Sequence, residues 1–336
     1  MTLPTPDVSE VGEEDLSAVE GDSAKVIEGR SPMQLAMARL RKDRMTQVAL
    51  ALVAIFVIIA IVAPILDWVG VLDPTGYNNN LIDPATGGLH KGSFGGISWS
   101  HPLGLEPGTG RDLLSRLLEG MTFSLVISVV AMLISIVLGT LVGIISGFLG
   151  GKVDFFLSRF VDLVLCFPQT LMLLALSGTF IAWLVVLGVP AGNVSTGLYV
   201  MLILGLFGWP AYARVIRSQV MSLRNREFVE AARSLGSSNR RIYFTEILPN
   251  LWPPILVYST LILPINVSAE AALSYLGVGI KAPTPTLGNI LTDSVNYAQG
   301  DFMYFLMPAV AIMLVVLAFN LVGDGLGDAI DPKRDH

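Results

Sequence analysis

The chain has 336 residues, of which 53% are hydrophobic and only 14% charged, with a mean hydropathy of +0.66. That composition excludes an ordinary soluble enzyme and fits a membrane protein. The net charge of -6 misleads, because its sign is unevenly distributed; no nucleic-acid partner is expected, and Cys166, the single cysteine, excludes an intrachain disulfide or a cysteine metal cluster.

Residues 1–30 are rich in Asp, Glu, Ser and Val without periodicity, which predicts a disordered acidic cytoplasmic tail. They contain no apolar core segment, so no cleaved signal peptide is expected. From 31 to 47 apolar Met33, Leu35, Met37 and Leu40 alternate with basic Arg39, Arg41, Lys42 and Arg44. This reads as a helix lying on the membrane surface, with basic groups at anionic lipid headgroups; the alternative is a plain solvated helix. The first span follows at 48–68, completing a unit at 31–68. A bilayer core needs roughly 20 apolar residues, and this run supplies them.

Residues 69–120 form a Gly-, Pro- and Asn-rich loop that ends in a short amphipathic helix, RDLLSRLLEG, expected to feed the second span at 121–148. In that span Ser135, Gly139, Gly143 and Gly147 recur every fourth residue, giving one face of small residues suited to close helix packing in lipid. A turn at Gly150-Gly151-Lys152 leads to a third span at 155–187. It is not a phosphate-binding loop, because Ser146 and Val153 stand where Gly and Ser or Thr are required. Further spans are expected at 198–221, 251–276 and 302–322, so that 121–322 forms the membrane core and 323–336 a charged tail. The predicted fold is therefore all-α and polytopic, with six transmembrane helices.

Six spans put both termini on one side. All but four of the 21 Lys and Arg residues (Lys91, Arg111, Arg116 and Lys281) fall on that side, which the positive-inside rule makes cytoplasmic. Intramembrane charge is sparse. Asp154, Arg159, Asp162, Arg214, Arg217, Asp324 and Asp328 lie near span ends, and only Glu270 is well inside. A carrier driven by ion gradients would be expected to hold more carboxylates in its spans. Glu270 has two readings: it lines an aqueous path near an outer gate, or it hydrogen-bonds a neighbouring helix. The three histidines, His90, His101 and His336, have no metal-ligand spacing, no nucleophile constellation is visible, and neither a catalytic nor a metal site is expected.

Between the fourth and fifth spans lies a polar, helix-prone segment at 222–250. Asn225 suits an N-cap, and Glu227 the first turn of a helix. Phe228, Ala231, Ala232 and Leu235 share helical spacing and predict one apolar stripe. Gly236 suits a left-handed helix stop, and Ser237 or Ser238 a cap for a second short helix with Ile242, Tyr243 and Ile247 inward. Pro249 ends that helix or opens the next element. Such an elbow is either a knob presented to a cytosolic partner or a linker lying on the bilayer.

Glu230-Ala231-Ala232, Gly236 and Ile247-Leu248-Pro249-Asn250 resemble the EAA loop of ABC importer permeases. Glu246 stands where the general pattern has isoleucine, a departure common in the peptide-permease branch. The resemblance extends over most of the chain. His101-Pro102-Leu103-Gly104 with Gly110-Arg111-Asp112-Leu113-Leu114-Ser115-Arg116 is similar to a motif of the peptide/nickel permeases. So are Gly150-Gly151 with Asp154, Arg159, Asp162, Phe167 and Pro168, and Trp209, Tyr212, Ala213, Arg214 and Arg217 before the loop. Leu273-Ser274-Tyr275-Leu276-Gly277, Phe319-Asn320 and Gly323-Asp324-Gly325-Leu326 fit the last two spans. Leu105, Leu287 and Gly327 depart from that branch, which usually has Thr, Trp and Arg there.

The layout is similar to the C subunit of dipeptide and oligopeptide systems, with the fold of a type I ABC importer permease. The resemblance implies a bacterial inner-membrane protein that itself binds no cofactor. ATP and Mg2+ would be used by two cytoplasmic ATPase subunits, alongside a second homologous permease and an extracytoplasmic binding protein. It implies that Phe228, Glu230, Ala231, Ala232, Arg233, Leu235 and Gly236 couple to an ATPase. The cargo could be dipeptides, longer peptides, nickel or another small solute, and a stand-alone channel or carrier is the competing reading.

Overall fold

The computed structural model describes residues 37–92 and 94–330. The expectations for the 1–30 tail, and for Lys333 and Arg334, fall outside those residues. Within them, six helices are long and apolar enough to cross a membrane. They are α1 (Arg44–Trp68), α2 (Leu113–Leu149), α4 (Gln169–Val186), α5 (Asn193–Leu223), α7 (Asn239–Tyr275) and α9 (Phe302–Ile330). Shorter helices are α3 (Gly151–Cys166), α6 (Glu227–Ser234) and α8 (Leu287–Val295), and the loop after α1 carries a two-stranded ribbon of β1 (Ile82–Asp83) and β2 (Leu89–His90).

Two expected boundaries are corrected. RDLLSRLLEG is not a separate helix; α2 runs unbroken from Leu113, where the Asp112 carboxylate caps it by accepting from Ser115 N at 2.7 Å. The expected third span at 155–187 is two helices, because Pro168 disfavours helical backbone at the preceding residue. Phe167 accordingly turns extended (φ -81°, ψ 127°), and only α4 has the length and apolarity of a span.

The bundle is centred on α2 and α5, and the four-residue stripe of α2 explains why. A Cβ added to Gly139 would lie 2.5 Å from the Tyr212 ring, one at Gly143 2.7 Å from Ile216 Cβ, and one at Gly147 2.8 Å from Arg217 O. Gly205 returns the fit from α5, where a Cβ would lie 2.6 Å from Ile134 Cβ, and Ser135 Oγ donates to Gly205 O at 3.0 Å. Hydrogen at these positions lets the two backbones approach closely, which is the main attraction between helices in lipid.

The chain's two described ends meet at one end of the bundle. Arg39 Nη1 donates to Ala329 O (3.3 Å), and a Cβ on Gly325 would run into Thr46. That end also holds the elbow between α5 and α7. The opposite end holds the long loop and α8, tied together where Arg116 Nη1 donates to Pro74 O and Pro283 O and Asn193 Nδ2 to Lys281 O.

Candidate functional site

The elbow consists of α6 and the first turns of α7. Arg226 rather than Asn225 is the N-cap of α6, and no side chain caps the helix. Glu227 and Glu230 in the first turn and Arg233 in the last complement the helix dipole instead. Its C-terminus is as the sequence predicts. Gly236 has φ +78°, Gly236 N donates to Arg233 O (2.9 Å) and Ser237 N to Ala232 O (3.0 Å), the paired bonds of a Schellman stop. Ser238 Oγ then accepts from Arg241 N and starts the next helix. From Ile242 to Ile247 α7 widens into a π turn, followed by a tight turn at Leu248–Leu251 that contains Pro249, before its regular part.

The expected apolar stripe is in fact two faces. Val229, which the sequence reading passed over, is fully buried, with Ala232 half-buried one turn later. Phe228, Ala231 and Leu235 are exposed, centred about 100° further round the helix; Leu235 is 87% exposed. The inner face joins Ile242, Ile247 and Leu251, all fully buried, to Ile144, Phe148, Ile216 and Val220 of the α2–α5 seam. Arg233 covers the Phe148 ring at 4.8 Å, and Phe148 meets Tyr243 edge-on at 4.8 Å. The elbow is thus rooted in the bundle while an apolar ridge points outward, flanked by exposed Glu230.

Next to it, ion pairs tie α3 to α2 and α5. Arg217 forks onto Asp154 (2.6 and 2.7 Å), Ser146 and Ser158 donate to the same carboxylate, and Arg214 meets Asp162 at 2.5 Å. The Arg217 hydrogen bonds hold the Asp154 carboxyl well below the usual carboxylate range against the push of burial. Arg224 Nη1 donates to Gly147 O (3.0 Å) and joins the end of α5 to the end of α2.

Glu270 lies far from the elbow, near the other end of α7. It is 1% exposed and accepts from Ser124 Oγ of α2 (2.9 Å) and Ser274 Oγ (3.0 Å), while Leu287 N of α8 donates to Ser124 Oγ (3.0 Å). The hydrogen bond to a neighbouring helix, one of its two readings, is present.

At that end the structure also assembles a charged cluster that the sequence reading missed. Arg111 Nη2 donates to Glu106 Oε1 (2.8 Å), Tyr304 Oη donates to the same oxygen (3.2 Å), and Arg116 Nε stands 3.6 Å from Glu106 Oε2. All four side chains are buried. Burial pushes the Glu106 carboxyl up, but hydrogen bonding to Arg111 and the charges of Arg116 and Arg111 outweigh it and hold the group ionised. Burial and the negative charge of Glu106 push neighbouring Asp293 the other way.

Six helices long and apolar enough to cross a membrane, with an elbow rooted in the seam between two of them, define a polytopic membrane protein. Residues 139–336 match the family of binding-protein-dependent transport system inner membrane components, and residues 31–82 the N-terminal transmembrane domain of oligopeptide transport permease C. The chain belongs to this family and is the multi-pass inner-membrane permease of a binding-protein-dependent ABC importer; such components are not themselves catalytic.

It is 35% identical over 303 residues to a dipeptide transport system permease protein DppC of Alkalihalophilus pseudofirmus, covering 90% of each chain. It is 37% identical over 308 residues to the glutathione transport system permease protein GsiD of Salmonella paratyphi A, covering 90% of this chain and 91% of that one. A solved structure of the MetNI methionine ABC transporter in an inward-facing conformation matches with TM-score 0.51 at 20% identity, over 65% of this chain and 98% of that chain, which shows the fold.

Proposed function

We propose that this chain is one of two homologous permeases lining the path of a peptide importer, and that its elbow transmits the motion of an ATPase. Two ATPase subunits, using ATP and Mg2+, face the elbow end in the cytoplasm, where both termini also lie. A binding protein delivers cargo at the loop end, outside. The excess of Lys and Arg on the elbow side supports this orientation, and the dipeptide and glutathione relatives support a peptide cargo. The weakly buried α4, with exposed Leu171, Leu176 and Trp183, supplies apolar surface for the second permease or for membrane lipid.

The observation that carries the reading is the division of α6 into two faces. Val229 anchors the helix to the α2–α5 seam, and Phe228, Ala231 and Leu235 offer an apolar ridge to a groove. Small Ala231 at the centre of that ridge allows close backbone approach. Displacing the ridge therefore displaces α2 and α5 together, which is what an alternating-access cycle requires of a lever.

Ala231→Asp places a charge on the ridge without disturbing the inward face. Docking would bury that charge unpaired, at a cost of about 3–5 kcal/mol. In reconstituted vesicles the variant is expected to lose ATP-driven peptide uptake and binding-protein-stimulated ATP hydrolysis while its permease still folds. Normal uptake and stimulation by this variant would refute the coupling role.

A further inference from the structure

The loop end contains a cavity that the reading above leaves without a role. It has a volume of about 530 Å3 and is walled by His90, Phe94, Gly95, Asp301, Phe302 and Met303. Two polar side chains form part of its wall: that of His90 is 8% exposed and that of Asp301 2%. Asp301 Oδ1 accepts from Tyr304 N (3.1 Å) at the start of α9, but Oδ2 has no hydrogen-bond partner, and neither has His90 Nδ1 or Nε2. Buried polar atoms without partners cost free energy, and an ionised oxygen costs most. His90 Nε2 stands 3.6 Å from Asp301 Oδ2, too far for a direct hydrogen bond. Lys91, the neighbouring cation, is engaged elsewhere, its Nζ donating to Asn80 O at 2.9 Å.

The surroundings hold this geometry in place. His90 is fixed by the β ribbon, paired across from Ile82, and a Cβ on Gly96 would approach its Cβ to 3.1 Å. Phe94 is the one non-glycine residue with positive φ among the described residues (φ +53°), and it leaves its ring 73% exposed beside the cavity. Strain of that kind persists only where the surroundings enforce it. Ile97 (46% exposed) and Trp99 (fully exposed) follow on the same loop. A desolvated charged anchor beside exposed apolar side chains has the make-up of an interface hot spot.

We propose that this cavity is a socket for a lysine or arginine side chain of the extracytoplasmic binding protein, with Asp301 and His90 as its acceptors and Phe94 beside it. The proposal rests on the orientation and partner given under Proposed function. A protein occupant is favoured over a lipid ammonium because most of the wall comes from the loop between spans, and because the chain's family depends on a binding protein.

The test measures affinity between the binding protein that supports uptake and the assembled importer in lipid nanodiscs, at two salt concentrations. Asp301→Asn keeps Oδ1 for the Tyr304 cap, since Asn caps as well as Asp, and removes the negative charge. It is expected to melt like the wild type, to bind at least about tenfold more weakly, and to lose part of the salt dependence. Phe94→Gly relieves the backbone and removes the ring, so a weaker complex there, expected at about threefold, cannot come from misfolding.

Wild-type affinity and salt dependence in Asp301→Asn would overturn the socket alone. So would an affinity that falls when phosphatidylethanolamine is left out of the nanodisc for the wild type but not for Asp301→Asn, which would assign the site to lipid. A wild-type importer that binds no binding protein at all would sink both the socket and the reading beneath it.

Discussion

At the elbow end, apolar side chains face outward and the charged residues beside them are exposed; at the loop end, Glu106, Arg111 and Arg116 are buried and answer one another. The elbow is anchored by one fully buried side chain of α6, Val229, while Phe228, Ala231 and above all Leu235 remain exposed. The loop end is tied across the chain, with Tyr304 bonded to a carboxylate 198 residues away. The charged groups at the loop end answer chiefly one another, although His90, Arg116 and Asp301 keep buried atoms without a partner. The elbow leaves an apolar ridge exposed beside charged groups, which is the surface the proposed ATPase contact would cover. The contrast teaches that one end of this permease is held by buried charge and the other by apolar packing, as the proposed lever role of the elbow requires.

Substitutions can break or sharpen that contrast. The largest effect is expected from Glu106→Gln, which leaves Arg111 and Arg116 buried without their anion. Breaking such a pair costs about 3–5 kcal/mol, so the purified permease should melt far below the wild type in detergent; an unchanged melting temperature would show that the cluster does not organise the loop end. Next comes the seam that joins the two ends. Gly143→Ala puts a methyl 2.7 Å from Ile216 Cβ and should cost about 1–3 kcal/mol in thermal stability, as overpacking does. Gly178→Ala on α4, with nothing within 4 Å, should be neutral or gain up to about 1 kcal/mol from helix propensity. The smallest change in stability, within about 0.5 kcal/mol, is expected of Leu235→Ser, because the residue is exposed. Yet it should lower stimulated ATP hydrolysis at least about fivefold, as loss of an interface anchor does. If Leu235→Ser melts early instead, the ridge belongs to the fold and not to a partner.

Much of the framework was legible in the sequence. Hydropathy located six spans because a bilayer imposes length and apolarity on a local stretch. The small-residue stripe of α2 and the Gly236 stop were legible for the same reason, since a four-residue repeat and a left-handed turn are local requirements. The third span was drawn too long, because continuous apolarity hid the break that Pro168 makes at Phe167. The stripe of Phe228, Ala231 and Leu235 was legible from helical spacing, but the buried anchor Val229 was not, because a single apolar residue outside the stripe gives no periodic signal. The Glu106 cluster and the His90–Asp301 pair were not legible. Their partners are brought together by the packing of α2, α9 and the loop, and no pattern within one segment marks them.

The most direct test of the account is contact at the ridge. With Cys166, the one native cysteine, replaced by Ser, a benzophenone probe placed at Leu235→Cys in the assembled importer should photo-crosslink to an ATPase subunit in high yield. The same probe at Trp99→Cys, on the loop at the other end, should not. Adducts from position 235 that contain only lipid or no protein, in an importer that still transports, would contradict the claim that another subunit grips the elbow.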